Sequence, residues 1–423
     1  MAKISFTAEK EIGTEITLSF VNDFIMHKKA HIVAANNIDK SIKSDEEKIA
    51  SGFYHFFEKI AKYLNFAEIS FANLETPLAK NLAPIPKHDK NGRYITEEKI
   101  IKPDILHDNF VYGFYPKNFN VHPCFALSLK KVGINLINTG NNHLADRLSN
   151  GIDRTLDALD KYKIDHFGSI RYEKTMDKNF KNTWDVKPYI IKEVKGIKIA
   201  FMGAAQFLNW NMLGDGYFTK PDEHKQIYRL GTESLFTRFN GKNVPRLIKW
   251  IKHAKEVGKV DYVIVYLHFG LGLFSKKSGH SPDFLQRSWA KKILQNGADI
   301  IIGGHTHTLQ SCEKFVTEDN RETFISYSLG NFLSCYENEN KDAAAILYIT
   351  LVKNKKGVFI KKIQYLPTYS LMEKENGNVK DIQILPIDKN KDLQGKFKNH
   401  YINILGKENL TTSSELEKEF NIK

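Results

Sequence analysis

Cysteine is scarce in this chain of 423 residues: there are three, Cys124, Cys312 and Cys335, far apart and odd in number. That excludes a disulfide framework as the source of stability and leads us to expect a reducing compartment. A long apolar run is also missing. The longest, Tyr262 to Phe274, is interrupted by His268 and reaches about half a membrane span, so no membrane segment is expected. The opening Met1-Ala-Lys-Ile-Ser-Phe-Thr7 has neither the apolar core nor the small-residue cleavage site of a signal peptide, and a cytoplasmic location is the matching expectation. Arginine is scarce too, at nine of the 62 basic residues, and the lysines are interspersed with acids from end to end. The formal charge of +13 therefore reads as a solvated lysine surface, and no nucleic-acid partner is expected.

What is present is an ordinary globular composition, 42% hydrophobic and 26% charged, long enough to bury a sizeable core without staples. Ile16–Val21 alternates as a strand and stops at Asn22-Asp23. A helix is expected over Asp45–Leu64, then a strand at Glu68–Ala72 running into Asn73-Leu-Glu75. The polar, Pro/Lys-rich stretch 79–120 reads as an excursion over the surface. A helix near Pro123–Lys131, a strand at Asn135–Asn138, the loop Thr139-Gly-Asn-Asn-His143 and a helix at Gly151–Tyr162 follow. Tyr189–Val194 and Ile197–Met202 read as a hairpin. Residues 206–243, with Trp210, Tyr217 and Phe218, read as an inserted lid or a peripheral loop. A helix at Val244–Val257, the strand Tyr262–Leu267, a helix at Pro282–Asn296 and the strand Asp299–Ile302 lead to Gly303-Gly-His-Thr-His307. Strand alternates with helix for some three hundred residues and the end is β-rich, which argues an α/β fold with a second sheet. The expected division is a main domain over 1–366 and a polar extension over 367–423.

One regularity carries the chemistry. Asp23, Glu75, Asn142-His143, His268, and His305 with His307 stand at the carboxyl ends of five successive expected strands, where strands open into loops and sites assemble. Taken singly, Asp23 also suits a helix cap or turn, Glu75 a solvent-facing turn before Thr76-Pro77, His143 a tight turn, and His268 a satisfied core histidine. His305 and His307 differ, because a Gly-Gly hinge delivers two imidazoles at i and i+2. Together these groups form a mixed oxygen and nitrogen set suited to a divalent cation such as Mn, Zn or Fe.

The ordered set Asn22-Asp23, Asn73-Leu-Glu75, Asn141-Asn-His143, His268-Phe-Gly270, Gly303-Gly-His-Thr-His307 and Tyr327-Ser-Leu-Gly-Asn-Phe332 resembles the capsule-synthesis (poly-γ-glutamate, CapA-type) family of the calcineurin-like metallophosphoesterase superfamily. The resemblance runs from about Ile16 to Val352. It implies a four-layer α-β-β-α sandwich of two mixed sheets with a dinuclear metal site at one sheet edge. By position, it implies Asp23 as a terminal ligand and Glu75 as the bridging carboxylate. Asn142, His268 and His305 would serve the second metal, and His307 the first. His143 would stand beside the leaving group, oriented by Asp146, with Asn331 near the substrate. Three departures stand out. The usual Gly-Asp is Asn22-Asp23, the acid expected after His268 is replaced at Gly272, and Ile25 stands where wider phosphoesterases carry a histidine. The implied activity is hydrolysis of a phosphoester or amide in an anionic small-molecule or polymer substrate. The alternative is a non-catalytic part in making or exporting a capsule polymer.

Overall fold

The computed structural model describes residues 3–88, 94–99, 101, 106–108, 111–112, 118–171, 187–206, 209, 244–270 and 279–423. Its strands are β1 (Thr14–Phe24), β2 (Ile69–Leu74), β3 (Leu82–His88), β4 (Tyr94–Glu98), β5 (Leu136–Asn138), β6 (Asp165–Phe167), β7 (Tyr189–Val194), β8 (Ile197–Ala205), β9 (Tyr262–His268), β10 (Ile300–Gly304), β11 (Cys312–Val316), β12 (Glu322–Ser326), β13 (Asn331–Leu333), β14 (Ala343–Asn354), β15 (Gly357–Glu375) and β16 (Asn378–Pro386). Its helices are α1 (Lys28–Asn36), α2 (Asp45–Tyr54), α3 (Lys62–Asn65), α4 (Phe125–Val132), α5 (Leu148–Lys161), α6 (Val244–Glu256), α7 (Phe284–Gln295), α8 (Lys391–Leu405) and α9 (Ser413–Glu419).

β1 is buried on both faces from Ile16 onward because it lies in the middle of a sheet covered on both sides. Ile16, Leu18 and Phe20 enter the core between the two sheets, while Val21 and Phe24 enter the core beneath the helices. That sheet runs β16-β15-β14-β1-β2-β5-β6, with β13 also pairing β1. The second runs β11-β12-β10-β9-β8-β7. Three apolar cores separate the layers. One packs α1, α2 and α4 on the first sheet, one joins the two sheets, and one packs α6 and α7 on the second sheet. The result is the expected four-layer α-β-β-α sandwich with two mixed sheets.

Several elements differ from the sequence reading. The helix expected over 45–64 breaks after Tyr54 into a short 3-10 turn and then α3, although Phe53, Phe56, Phe57 and Ile60 are all buried as its pattern requires. The stretch 79–120 contains the β3–β4 hairpin and buries Leu82, Leu106, Val111 and Tyr112, so it is more than a surface excursion. The lid reading at 206–243 falls outside the described residues except at Gln206 and Asn209. The division at residue 366 falls inside β15, which pairs with β14 and then with β16 as part of the first sheet. Its lysines and asparagines face outward or sit at the turn, while Ile382, Ile384 and Leu385 face inward. α8 then puts Leu393, Phe397 and Tyr401 into the core between the sheets. Among the described residues no helix is long and apolar enough to cross a membrane.

Candidate functional site

β1, β2 and β5 run parallel in the first sheet, and β9 and β10 run parallel in the second. Parallel pairing puts all five carboxyl ends on one rim, and every strand-end group singled out in the sequence arrives there. Asp23 and Glu75 are fully buried, and Asn142, His268, His305 and His307 nearly so. Phe24, the neighbour of Asp23, is fixed edge-on against Phe57, Phe125 and Phe332 with ring centroids 5.7, 5.9 and 5.7 Å away.

The donor atoms fall into two groups, Glu75–His268–His305 and Asp23–Glu75–His307, which share Glu75. In the first, His268 Nε2 lies 3.5 Å from Glu75 Oε1, 3.2 Å from His305 Nδ1 and 2.6 Å from Asn142 Oδ1. Ligands about 2.0–2.1 Å from a tetrahedral cation stand about 3.3 Å apart, so the His268–Glu75 and His268–His305 spacings match a shared ion. In the second, His307 Nε2 lies 3.9 Å from Glu75 Oε1, and His307 Nδ1 lies 3.7 Å from Asp23 Oδ2. The His307 Nδ1–H donates to Asn331 Oδ1 at 2.9 Å, which turns Nε2 toward Glu75. Orientation of an imidazole through its other nitrogen is the usual support of a ligating histidine. Both Glu75 oxygens are buried without a hydrogen-bond partner, an expensive state for a carboxylate unless a cation meets it.

Electrostatics agree with that reading. Burial, with the charge of Glu75, pushes the Asp23 carboxyl up to about 7, and burial pushes Glu75 up to about 7. Burial holds His268 down to about 4, His307 to about 3 and His305 well below its ordinary value. The pocket thus offers neutral imidazoles and two carboxylates that lack a counter-charge, a donor set that can hold a divalent cation.

Backbone strain is concentrated here. His305 and His307 both have positive φ, +87° and +57°, costly for residues with a Cβ and characteristic of functional loops. The preceding glycines are required by close approach. A Cβ on Gly303 would lie 2.1 Å from the Tyr327 carbonyl oxygen, and one on Gly304 2.1 Å from the Tyr266 hydroxyl.

Sequence reading missed three supports. The Tyr266 hydroxyl lies 3.3 Å from both Asp23 Oδ1 and His268 Nδ1. An amide relay runs from Asn138 Nδ2 to Asn73 Oδ1 at 2.8 Å and from Asn73 Nδ2 to Asp23 Oδ1 at 2.7 Å. The Asn209 side-chain amide lies 3.0 Å from His143 Nε2. The alternation of β9 placed Tyr266 on the same face as His268, and that was the available signal; the relay had only the asparagines near the strand ends, and Asn209 had none.

His143 stands beside the cluster. Its Nδ1–H donates to Asp146 Oδ2 at 2.6 Å, the Phe119 backbone N–H donates to the same oxygen at 2.7 Å, and the Phe119 ring lies 4.4 Å from the imidazole. Burial alone would lower the His143 imidazole, but Asp146, Glu75 and Asp23 turn the net shift upward.

With this geometry, the comparisons with known proteins are specific. Residues 17–336 match the family described as "Bacterial capsule synthesis protein PGA_cap". The chain is 26% identical over 301 residues to the "Capsule biosynthesis protein CapA" of Bacillus anthracis, covering 70% of this chain and 58% of that protein. It is 28% identical over 232 residues to the "PGA biosynthesis protein CapA" of Bacillus subtilis (strain 168), covering 55% of this chain and 50% of that protein. The matches thus span between half and three fifths of the curated relatives' length. Among solved structures, the calcineurin-like phosphoesterase YfkN from Bacillus subtilis aligns with a TM-score of 0.39 at 11% identity, covering 93% of this chain and 98% of that one.

Proposed function

Because this chain belongs to the bacterial capsule synthesis protein family, we propose that its rim cluster is a divalent-metal centre serving hydrolysis of a phosphoester or amide in an anionic substrate. The observation that carries the reading is Glu75, buried with both oxygens unbonded between two donor groups that share it. Asp23, Glu75 and His307 would hold one ion, and Glu75, Asn142, His268 and His305 the other, with Mn, Zn or Fe the candidates by donor type. When bound, such ions supply Lewis acidity and make a water nucleophilic near neutral pH.

The chain's own residues supply the remaining chemistry. His143 carries a proton at Nε2 to the leaving oxygen or nitrogen, and Asp146 fixes Nδ1–H and favours the imidazolium. Phe119 keeps water off one face of that imidazole. Asn331 acts on His307 and through it on the ligand geometry, a more specific role than contact with substrate.

The test is metal analysis followed by a panel of phosphomonoesters, phosphodiesters and γ-glutamyl amides with added Mn²⁺ and His305→Ala as control. One to two ions per chain and turnover lost in the control are expected; folded protein that takes up no metal overturns the reading. The curated relatives' names speak of biosynthesis, which favours a second reading, a non-catalytic part in making or exporting a capsule polymer. Full metal occupancy with no turnover across the panel would select it.

A further inference from the structure

Between β13 and β14 the chain makes a loop over residues 334–342 that is built around one buried carboxylate. Asp342 accepts from the Ser334 hydroxyl at 2.8 Å, from the Tyr336 N–H at 3.3 Å and from the Asn338 N–H at 3.0 Å. The loop is fastened to the metal-site rim as well. Asn331, which takes the His307 Nδ1–H, donates its own Nδ2–H to the Lys341 carbonyl at 2.9 Å. The Cys335 N–H donates to His27 Nδ1 at 3.2 Å. A loop held at this many points presents its side chains in fixed positions.

Two of those side chains face the site. The Tyr336 ring lies 5.6 Å from the His307 ring and 4.6 Å from the His27 ring, and the Lys341 ammonium stands 4.8 Å from the centre of the Tyr336 ring. Lys341 is therefore one ring away from His307. The other charges of the loop are already matched: Glu337 pairs with Lys29 and Lys374, and Glu339 with Lys396. Lys341 makes no ion pair among the described residues; the carboxylate that acts on it is Asp342, whose oxygens accept from the loop backbone and Ser334. Burial lowers the Lys341 ammonium from its ordinary value, opposed by Asp342. A partly dehydrated ammonium over an aromatic face, with no carboxylate paired to it, is a receptor for an oxyanion.

We propose that Lys341, held over Tyr336, is the anchor for an oxyanion group of the substrate, a carboxylate or a phosphate, next to the bond that is cut. The proposal rests on the metal-centre reading above and adds to it the charge of the substrate and the residue that selects for it. Asp342 and Asn331 are positioning residues for this anchor; neither needs to touch substrate.

The experiment uses the full chain loaded with Mn²⁺ and compares wild type, Lys341→Met and Lys341→Arg for binding of inorganic phosphate and of glutarate by calorimetry. Metal content is measured on each sample. The expected result is equal metal content in all three, at least about tenfold weaker anion binding in Lys341→Met, and most of the affinity restored in Lys341→Arg. The loss should shrink as salt is raised. A larger loss for phosphate assigns a phosphate to the anchor, and a larger loss for glutarate assigns a carboxylate. Unchanged anion binding in metal-loaded Lys341→Met overturns the anchor and leaves the metal centre standing. Failure of wild type to take up Mn²⁺ overturns both.

Discussion

At the scale of single residues, protonation is the property this site controls most closely. His143 is raised by Asp146 against the pull of burial, so it holds its proton to higher pH than an isolated buried imidazole. His143→Ala should lower turnover by about 10²–10⁴-fold while metal content stays unchanged; survival of turnover would remove it from the reaction. Asp146→Asn removes the raising charge, so the alkaline limb of the pH–rate profile should move to lower pH. Metal uptake has its own pH dependence. Asp23 and Glu75 are pushed up to about 7 before any ion arrives, so below that pH an entering cation must displace protons. Affinity should therefore tighten from pH 6 to pH 8 with measurable proton release, read by calorimetry in buffers of different ionisation heat. Constant affinity across that range would contradict the shared-carboxylate arrangement. The residues of the rim cluster were legible in the sequence because each stands at or just past the end of an apolar strand. Their supports were not: Tyr266 reads as one more apolar strand residue, and the hydrogen bonds of Asn73 and Asn138 exist only once β1, β2 and β5 are side by side.

At the scale of elements, the central strands carried clear signals, while the β3–β4 hairpin, the edge strand β16 and the ends of helices did not. β7 has the bounds that the hairpin reading gives it. The break after Tyr54 escaped notice because the apolar spacing continues through it: Phe56 and Phe57 stay buried while the backbone changes hydrogen-bond pattern. Phe24 links this region to the site. Replacing it with alanine removes one partner from three edge-on ring pairs and should cost about 3–5 kcal/mol, measured by urea denaturation, and should weaken metal binding through its neighbour Asp23. The turn after β10 gives a sharper test. Gly304→Ala brings a Cβ against the Tyr266 hydroxyl, so metal affinity should fall although no ligand is altered; unchanged affinity would mean that Tyr266 can move without cost.

At the scale of the whole molecule, the polar composition after residue 366 concealed the second half of β15, β16 and α8, which complete the fold. Edge strands with one solvated face carry half the apolar signal of central ones, which is why composition alone reads them as a tail. A chain ended at residue 366 should lose cooperative unfolding, since it would take the β15 partners from Ala343–Ala345 of β14, remove β16, and open the core that Leu393, Phe397 and Tyr401 close. The cysteines report on the same integrity. Cys124, Cys312 and Cys335 are free and buried, and burial pushes their thiols up to about 11, 11 and 12. A thiol reagent should leave the native protein unmodified and label three sites after denaturation.

The two sheets contribute equally to the rim: Asp23, Glu75 and Asn142 come from one, His268, His305 and His307 from the other. An ion held between them is consequently a rivet across the seam of the sandwich. Removing it with a chelator should be felt along β9 and β10 as faster amide hydrogen exchange, with the helices on the outer faces little affected. Such a protein would sense metal supply through the stiffness of its middle as well as through its chemistry.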